Sequence, residues 1–147
     1  MAKFIYKFES IKKVKEALEK KAQKEVSEIE LEIEKQQKEY NQIAEKEIRS
    51  RRSAIKKEIT VAEIKFKKNY EMYLSKQKMK VMNNIQALEV KKKAKLDELI
   101  QKSKEHKIFN SLEESYHENF DKEQNRAELK FIDELATQKF VRKQSEG

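Results

Sequence analysis

From residue 4 to residue 44 the apolar positions hold one helical phase. At about 100° per residue, Phe4, Phe8, Ile11, Leu18, Ala22, Val26, Ile29, Ile33, Tyr40, Ile43 and Ala44 fall within an arc of about 100°. Ile5, Val14, Ala17 and Leu31 fall outside it. Glu and Lys occupy the opposite face, often four residues apart as in Glu16 and Lys20, a spacing that gives modest local support. A disordered polar chain has no reason to keep this phase. The pattern therefore predicts one arm of a coiled coil, with Ser10 offering an N-cap and Phe8 in a short extended lead-in.

Apolar positions thin out over residues 49–53, and the pattern resumes in ITVAEI. Thr60 followed three residues later by Glu63 has the spacing of a capping box. Ile59 and Ile64 stand where a hydrophobic staple would, so both signals start a helix at Val61. A symmetric bend near Ser75 would give equal arms, but MYLSKQKMKVM contains nothing that breaks a helix. The expected architecture is all-α: two long helices in an antiparallel coiled-coil hairpin, the second longer than the first. One elongated domain covers 1–147, with helix 1 over about 8–52, a turn over about 52–60 and helix 2 over about 61–143. A helix continuous through the turn is the alternative. With this turn, residue i faces one numbered about 114 − i, and the first arm runs out near Tyr116.

The closing stretch KFIDELATQKFVRK is helical in spacing, yet its apolar residues do not form one stripe. With Phe120 at zero, Phe131 falls at about 20°, Leu135 at 60°, Ile132 at 120°, Ala136 at 160°, Leu129 at 180° and Phe140 at 200°. That arc is about half the helix, wider than a two-stranded seam. The face from Phe120 to Phe140 has no expected intramolecular cover, which makes it a docking surface for another protein.

Composition agrees with long helices. The chain holds one Gly, no Pro and no Cys; charged residues make up 42% of it and apolar ones 37%, which leaves few turn formers for a β fold and too little apolar content for a globular core. The charge is unevenly placed. Residues 1–47 carry 11 Lys against 11 Glu, residues 48–95 carry 15 basic against 4 acidic groups, and residues 96–147 carry 9 basic against 12 acidic. Two poles with different partners follow from that segregation. The basic runs RSRRSAIKK, SKQKMK and VKKKAK raise nucleic acid as a partner, but no recognition fold accompanies them. Their lysines spread over several helix faces, as on a solvated surface. An acidic protein or an anionic membrane surface fits this pole better. Beside these runs Phe66, Tyr70 and Tyr73 keep helical spacing from Ile59 and Ala62 and read as seam. Met72, Leu74, Met79 and Met82 fall off that stripe, either as interface or as a loose seam edge.

Catalytic chemistry finds few candidates. His106 and His117, eleven residues apart and about 16 Å along a helix, cannot share a metal, and they read as solvated helix positions. The sole glycine, Gly147, ends the sequence, so no phosphate-cradling loop is available. The expectation is no enzyme, no metal and no cofactor. No apolar run is long enough to cross a bilayer, and MAKFIYKF is too short and too broken by Lys7 for a signal peptide, so the expected location is the cytoplasm.

The opening KFIYKFESIKKVKEALEKKAQKE, the stretch NYEMYL and the closing EQNRAELKFIDELATQKFVRK together resemble the flagellar export protein FliJ family. In the tail, Glu123, Gln124, Asp133, Glu134, Leu135, Ala136, Phe140 and Arg142 hold the places of the family's motif. The segment NRAELK separates the Glu-Gln pair from the Asp133 group, so Glu128 and Lys130 are alternative occupants of the first part. The resemblance implies a small non-catalytic component of the flagellar type III export apparatus, like the coiled-coil stalk of rotary ATPases. It implies docking of the terminal end in the central opening of the hexameric export ATPase, through Phe4, Phe8, Phe120, Leu129, Phe131, Ile132, Asp133, Leu135, Ala136, Phe140 and Arg142. It also implies contact of the other pole with the cytoplasmic domain of the membrane export gate, through Tyr40, Ile43, Tyr70, Tyr73 and Leu74. Export chaperones are a further implied partner, nucleic acid is not, and membrane association would be peripheral, through partners. The alternatives are a general coiled-coil scaffold or peripheral stator, monomeric or homodimeric, and a nucleic-acid or membrane-surface binder using the basic block.

Overall fold

A computed structural model describes residues 2–53 and 58–147. It is all-α: helix α1, Glu9–Arg52, packs antiparallel against the longer helix α2, Val61–Ser145. The interior of the expected turn, residues 54–57, lies outside the described residues. Two compact units divide the chain, Met1–Leu18 with Lys102–Gly147 and Glu19–Gln101, and each contains a segment of both helices.

The start of α2 follows its local sequence. The Thr60 backbone N–H donates to a Glu63 carboxylate oxygen at 3.1 Å, and the Glu63 N–H donates to Thr60 Oγ1 at 3.3 Å. Two amides that the first helical turn cannot pair internally are thereby satisfied. Ile59 and Ile64 both stay largely exposed, so the expected staple buries little. Thr60→Ala should lower unfolding free energy by about 1 kcal/mol, read from the midpoint of urea unfolding; no shift would remove the box as a stabilising element.

The start of α1 departs from expectation. The Phe8 carbonyl accepts from the Lys12 N–H at 2.9 Å and the Tyr6 carbonyl from the Glu9 N–H at 3.3 Å. Ser10 therefore sits inside the first turn and is not the cap, and Phe4 precedes the helix instead of lying on its stripe. Phe4-x-Tyr6-x-Phe8 is the alternation of an extended segment, whose successive side chains point to opposite sides.

In the Glu19–Gln101 unit α1 buries Ala22, Val26, Ile29 and Ile43, all members of the stripe, while Leu31 stays exposed. From α2 come Leu74 and Val81, which cluster with Ile43 and are flanked by Tyr40 and Ile85. Leu74 is 3% exposed whereas Phe66 is 75% and Tyr73 57%, which reverses the sequence assignment for these three, while Met72, Met79 and Met82 are exposed, off the seam as assigned. The spacing of Leu74, Val81 and Ile85 sets a stripe rotated by about 80° from the Phe66–Tyr73 face, and that stripe faces α1.

Ion pairs tie the two helices in register. Glu47 meets Lys78 at 3.0 Å, Glu30 meets Lys92 at 3.1 Å and Glu25 meets Lys95 at 2.9 Å; in the other unit Lys15 meets Glu105 at 2.8 Å and Lys12 meets Glu113. The numbers of these partners add to between 120 and 125, above the 114 expected from sequence. The hydrogen bond and charge of Lys95 hold the Glu25 carboxyl below its ordinary range. Glu113, Glu47 and Glu25 push Lys12, Lys78 and Lys95 upward. A depressed carboxylate stabilises the fold above its unfolded pKa and loses that as the pH falls through its folded value. A raised lysine stabilises below its unfolded pKa and loses that as the pH rises through its folded value. Thermal midpoints should therefore hold a plateau between the carboxylate and lysine ranges and fall on both sides. Glu25→Gln should lower the plateau slightly and reduce its sensitivity to salt; a midpoint that rises on acidification would contradict the assigned pairs.

Candidate functional site

The terminal unit is organised by aromatic rings. Tyr6, 6% exposed, packs edge-on against Phe8 and Tyr116 at 6.0 and 5.9 Å, and its hydroxyl donates to the Phe109 carbonyl at 2.9 Å. Burial pushes this phenol upward, with Glu113 acting in the same direction. Phe8 meets Phe109 and Tyr116, and Phe4 meets His117 at 4.7 Å and Phe120 at 5.5 Å. Such tilted and edge-on pairs are favoured by the ring quadrupoles. The N-terminal segment is thus strapped to α2 across Phe109–Phe120. Tyr6 was absent from the sequence-derived set, although its place between Phe4 and Phe8 was the available signal.

Two corrections follow. Phe120 has an intramolecular partner, so the bare face begins after it. His117 is not simply a solvated position: its ring lies against Phe4, and Nδ1 stands 3.0 Å from an Asp121 carboxylate oxygen. Phe4 and Phe8 are half-buried in this cluster, which leaves each only part of its surface for a partner.

Beyond Phe120, α2 continues through residues 121–145, about 40 Å of helix. Gln124 alone among them is half-buried, and the others are exposed, Asp133, Ala136 and Arg142 included. Leu129, Phe131, Ile132, Leu135, Phe140 and Val141 are large apolar side chains left open together. Val141, which the sequence reading did not include, falls at about −60° from Phe120. It widens the apolar arc from about half the circumference to about 260°. A surface helix needs an apolar stripe on one side only; here apolar side chains are spread over most of the circumference, with Glu128, Glu134, Lys139 and Arg142 set among them.

The five residues assigned to the opposite pole separate. Ile43 and Leu74 are core, and Tyr40 is half-buried with the Lys78 ammonium 5.5 Å from its ring centre. Tyr70 and Tyr73 are open, and Phe66 and Met72 join them at the surface. A contact made by this pole has those four side chains to use.

Among the described residues no helix is long and apolar enough to cross a membrane. Comparison with protein-family models matches residues 4–145 to the family described as Flagellar FliJ protein. Comparisons with curated proteins and with solved structures gave no match.

Proposed function

This chain belongs to the FliJ family of flagellar proteins, a component of the flagellar export apparatus, and on that footing we propose that it couples the export ATPase to the export gate without chemistry of its own. The observation carrying this reading is the 260° apolar arc on the bare C-terminal part of α2. Such a segment is suited to insertion into an enclosing partner more than to lying on a flat one, and the central opening of a ring of ATPase subunits is an enclosure of that kind. Asp133, Glu134, Lys139 and Arg142, set among the apolar side chains, give the inserted segment polar contacts of both signs. In the Glu19–Gln101 unit Tyr70 and Tyr73, with Phe66 and Met72, form the face offered to the gate. Aromatic and Met side chains supply large contact areas at interfaces.

The experiment is hydrolysis of ATP by the cognate export ATPase with increasing amounts of the full chain. Saturable stimulation of several-fold is expected, as for an assembly factor that completes a ring. A rate independent of the chain would overturn the coupling role.

A further inference from the structure

We propose that two copies of this chain associate antiparallel through one face of the C-terminal part of α2, so that the acidic end of each face meets the basic end of the other. The face lies wholly within the unit that contains Lys102–Gly147. With Phe120 again at zero, it occupies about 80° to 180° of the helix. Three carboxylates come first, those of Glu118, Asp121 and Glu128. Leu129, Ile132 and Ala136 form the middle, and the ammonium groups of Lys139 and Lys143 follow. All of these residues are exposed. Leu135 and Phe140 fall just outside the arc, at about 60° and 200°, and widen its apolar centre.

The arrangement of charge selects a second copy as the occupant. The ion pairs that tie α2 to α1 reach as far along α2 as Glu113. Beyond it Glu118, Glu128, Lys139 and Lys143 have no ion pair among the described residues, and Asp121 meets only His117 of its own helix. Glu118, Asp121, Asn125, Leu129, Ile132, Ala136, Lys139 and Lys143 recur at steps of three and four, the spacing of a coiled-coil seam. A two-fold rotation sets residue i opposite one numbered about 261 − i. Leu129 then faces Ile132, Glu118 faces Lys143 and Asp121 lies beside Lys139 of the second copy, each contact being made twice. A parallel pair would set every charge against its own kind. A wholly acidic or wholly basic partner would be attracted by one end of the face and repelled by the other. The face is about 40 Å long and one helix diameter, about 10 Å, across, a footprint of about 400 Å² on each copy. A standard stable interface takes about 800 Å² from each partner, so this dimer belongs to the weak, reversible class. It covers Leu129 and Ile132, which the coupling role needs free, so self-association and docking compete. The dimer rests on the face alone: without it the coupling role stands, and a failure of coupling leaves the dimer standing.

Sedimentation equilibrium of the full chain, with no other protein present, reads the association. A monomer–dimer equilibrium with a dissociation constant in the micromolar range is expected. Ile132→Asp should weaken it about a hundredfold, because each dimer then encloses two unpaired carboxylates at its centre. Lys139→Glu combined with Lys143→Glu should weaken it about tenfold or more, and so should Glu118→Lys combined with Asp121→Lys. An equimolar mixture of these two double variants should regain association as a heterodimer. The substituted positions are exposed, and helical circular dichroism confirms that each variant folds. A chain that stays monomeric up to about 1 mM, a dimer that neither charge reversal weakens, or a mixture that stays dissociated overturns the proposal. So do assemblies that keep growing with concentration, which require a head-to-tail contact in place of a two-fold one.

Discussion

Leu74→Ala is expected to lower the unfolding free energy by about 2–4 kcal/mol, the largest stability effect of any single truncation in this chain. Leu74 is the least exposed residue of a core that is small: Ile43 and Val81 complete the buried cluster, and Tyr40 and Ile85 flank it. Truncation removes the apolar contacts and leaves a void between two helices that already pack through few side chains. Relaxation of the two helices toward each other would put the loss nearer the lower figure, since the cost depends on how far a site can collapse. Against a typical total of about 5–15 kcal/mol, either figure is a large share. Phe66→Ala is the control. That larger side chain sits eight residues earlier on the same helix but is 75% exposed, so its loss should change stability by less than about 0.5 kcal/mol. Urea unfolding followed by helical circular dichroism separates the two variants. If Phe66→Ala proved the costlier, the stripe facing α1 would have to be the aromatic one.

The same contrast shows what the sequence made legible. In α1 one stripe serves the whole interior of the helix, and its phase sorts buried Ala22, Val26, Ile29 and Ile43 from exposed Val14 and Leu31. In α2 the apolar side chains change face along the helix. Leu74, Val81 and Ile85 face α1, Phe109, Tyr116 and Phe120 meet the N-terminal strap, and the large apolar side chains from Leu129 to Val141 are exposed. A single period cannot describe three different partners, so the phase taken from Ile59 and Ala62 selected the wrong face for the second of the two helices. The strap was misread for a different reason. Phe4 and Phe8 are four residues apart, a spacing that serves a helical face and an extended alternation equally. Only Tyr6 distinguishes the two, and it fits the extended one. The register was also hidden, because Lys and Glu are so frequent that many offsets yield as many ion pairs. Side-chain packing had to choose the offset that puts Glu25 on Lys95 and Glu47 on Lys78.

The bare end of α2 yields the largest functional effect expected here. Phe131→Asp and Phe140→Asp, made separately, should each abolish stimulation of the export ATPase while leaving the thermal midpoint nearly unchanged. Both side chains are more than half exposed in the free protein, so folding loses little beyond the small difference in helix propensity, about 0.5 kcal/mol or less. In a complex each would place a carboxylate where an aromatic ring had been enclosed, and an unpaired buried charge costs several kcal/mol, enough for a hundredfold loss of affinity or more. Using both variants matters because the two residues lie on opposite sides of the helix, at about 20° and about 200°. A partner that surrounds the helix touches both, and either substitution is then sufficient. A partner with a single groove touches one side only and would tolerate one of the two. Loss of stimulation in just one variant would therefore keep this segment as a docking site but replace insertion by lateral binding. Stimulation retained in both would remove the segment from the contact altogether.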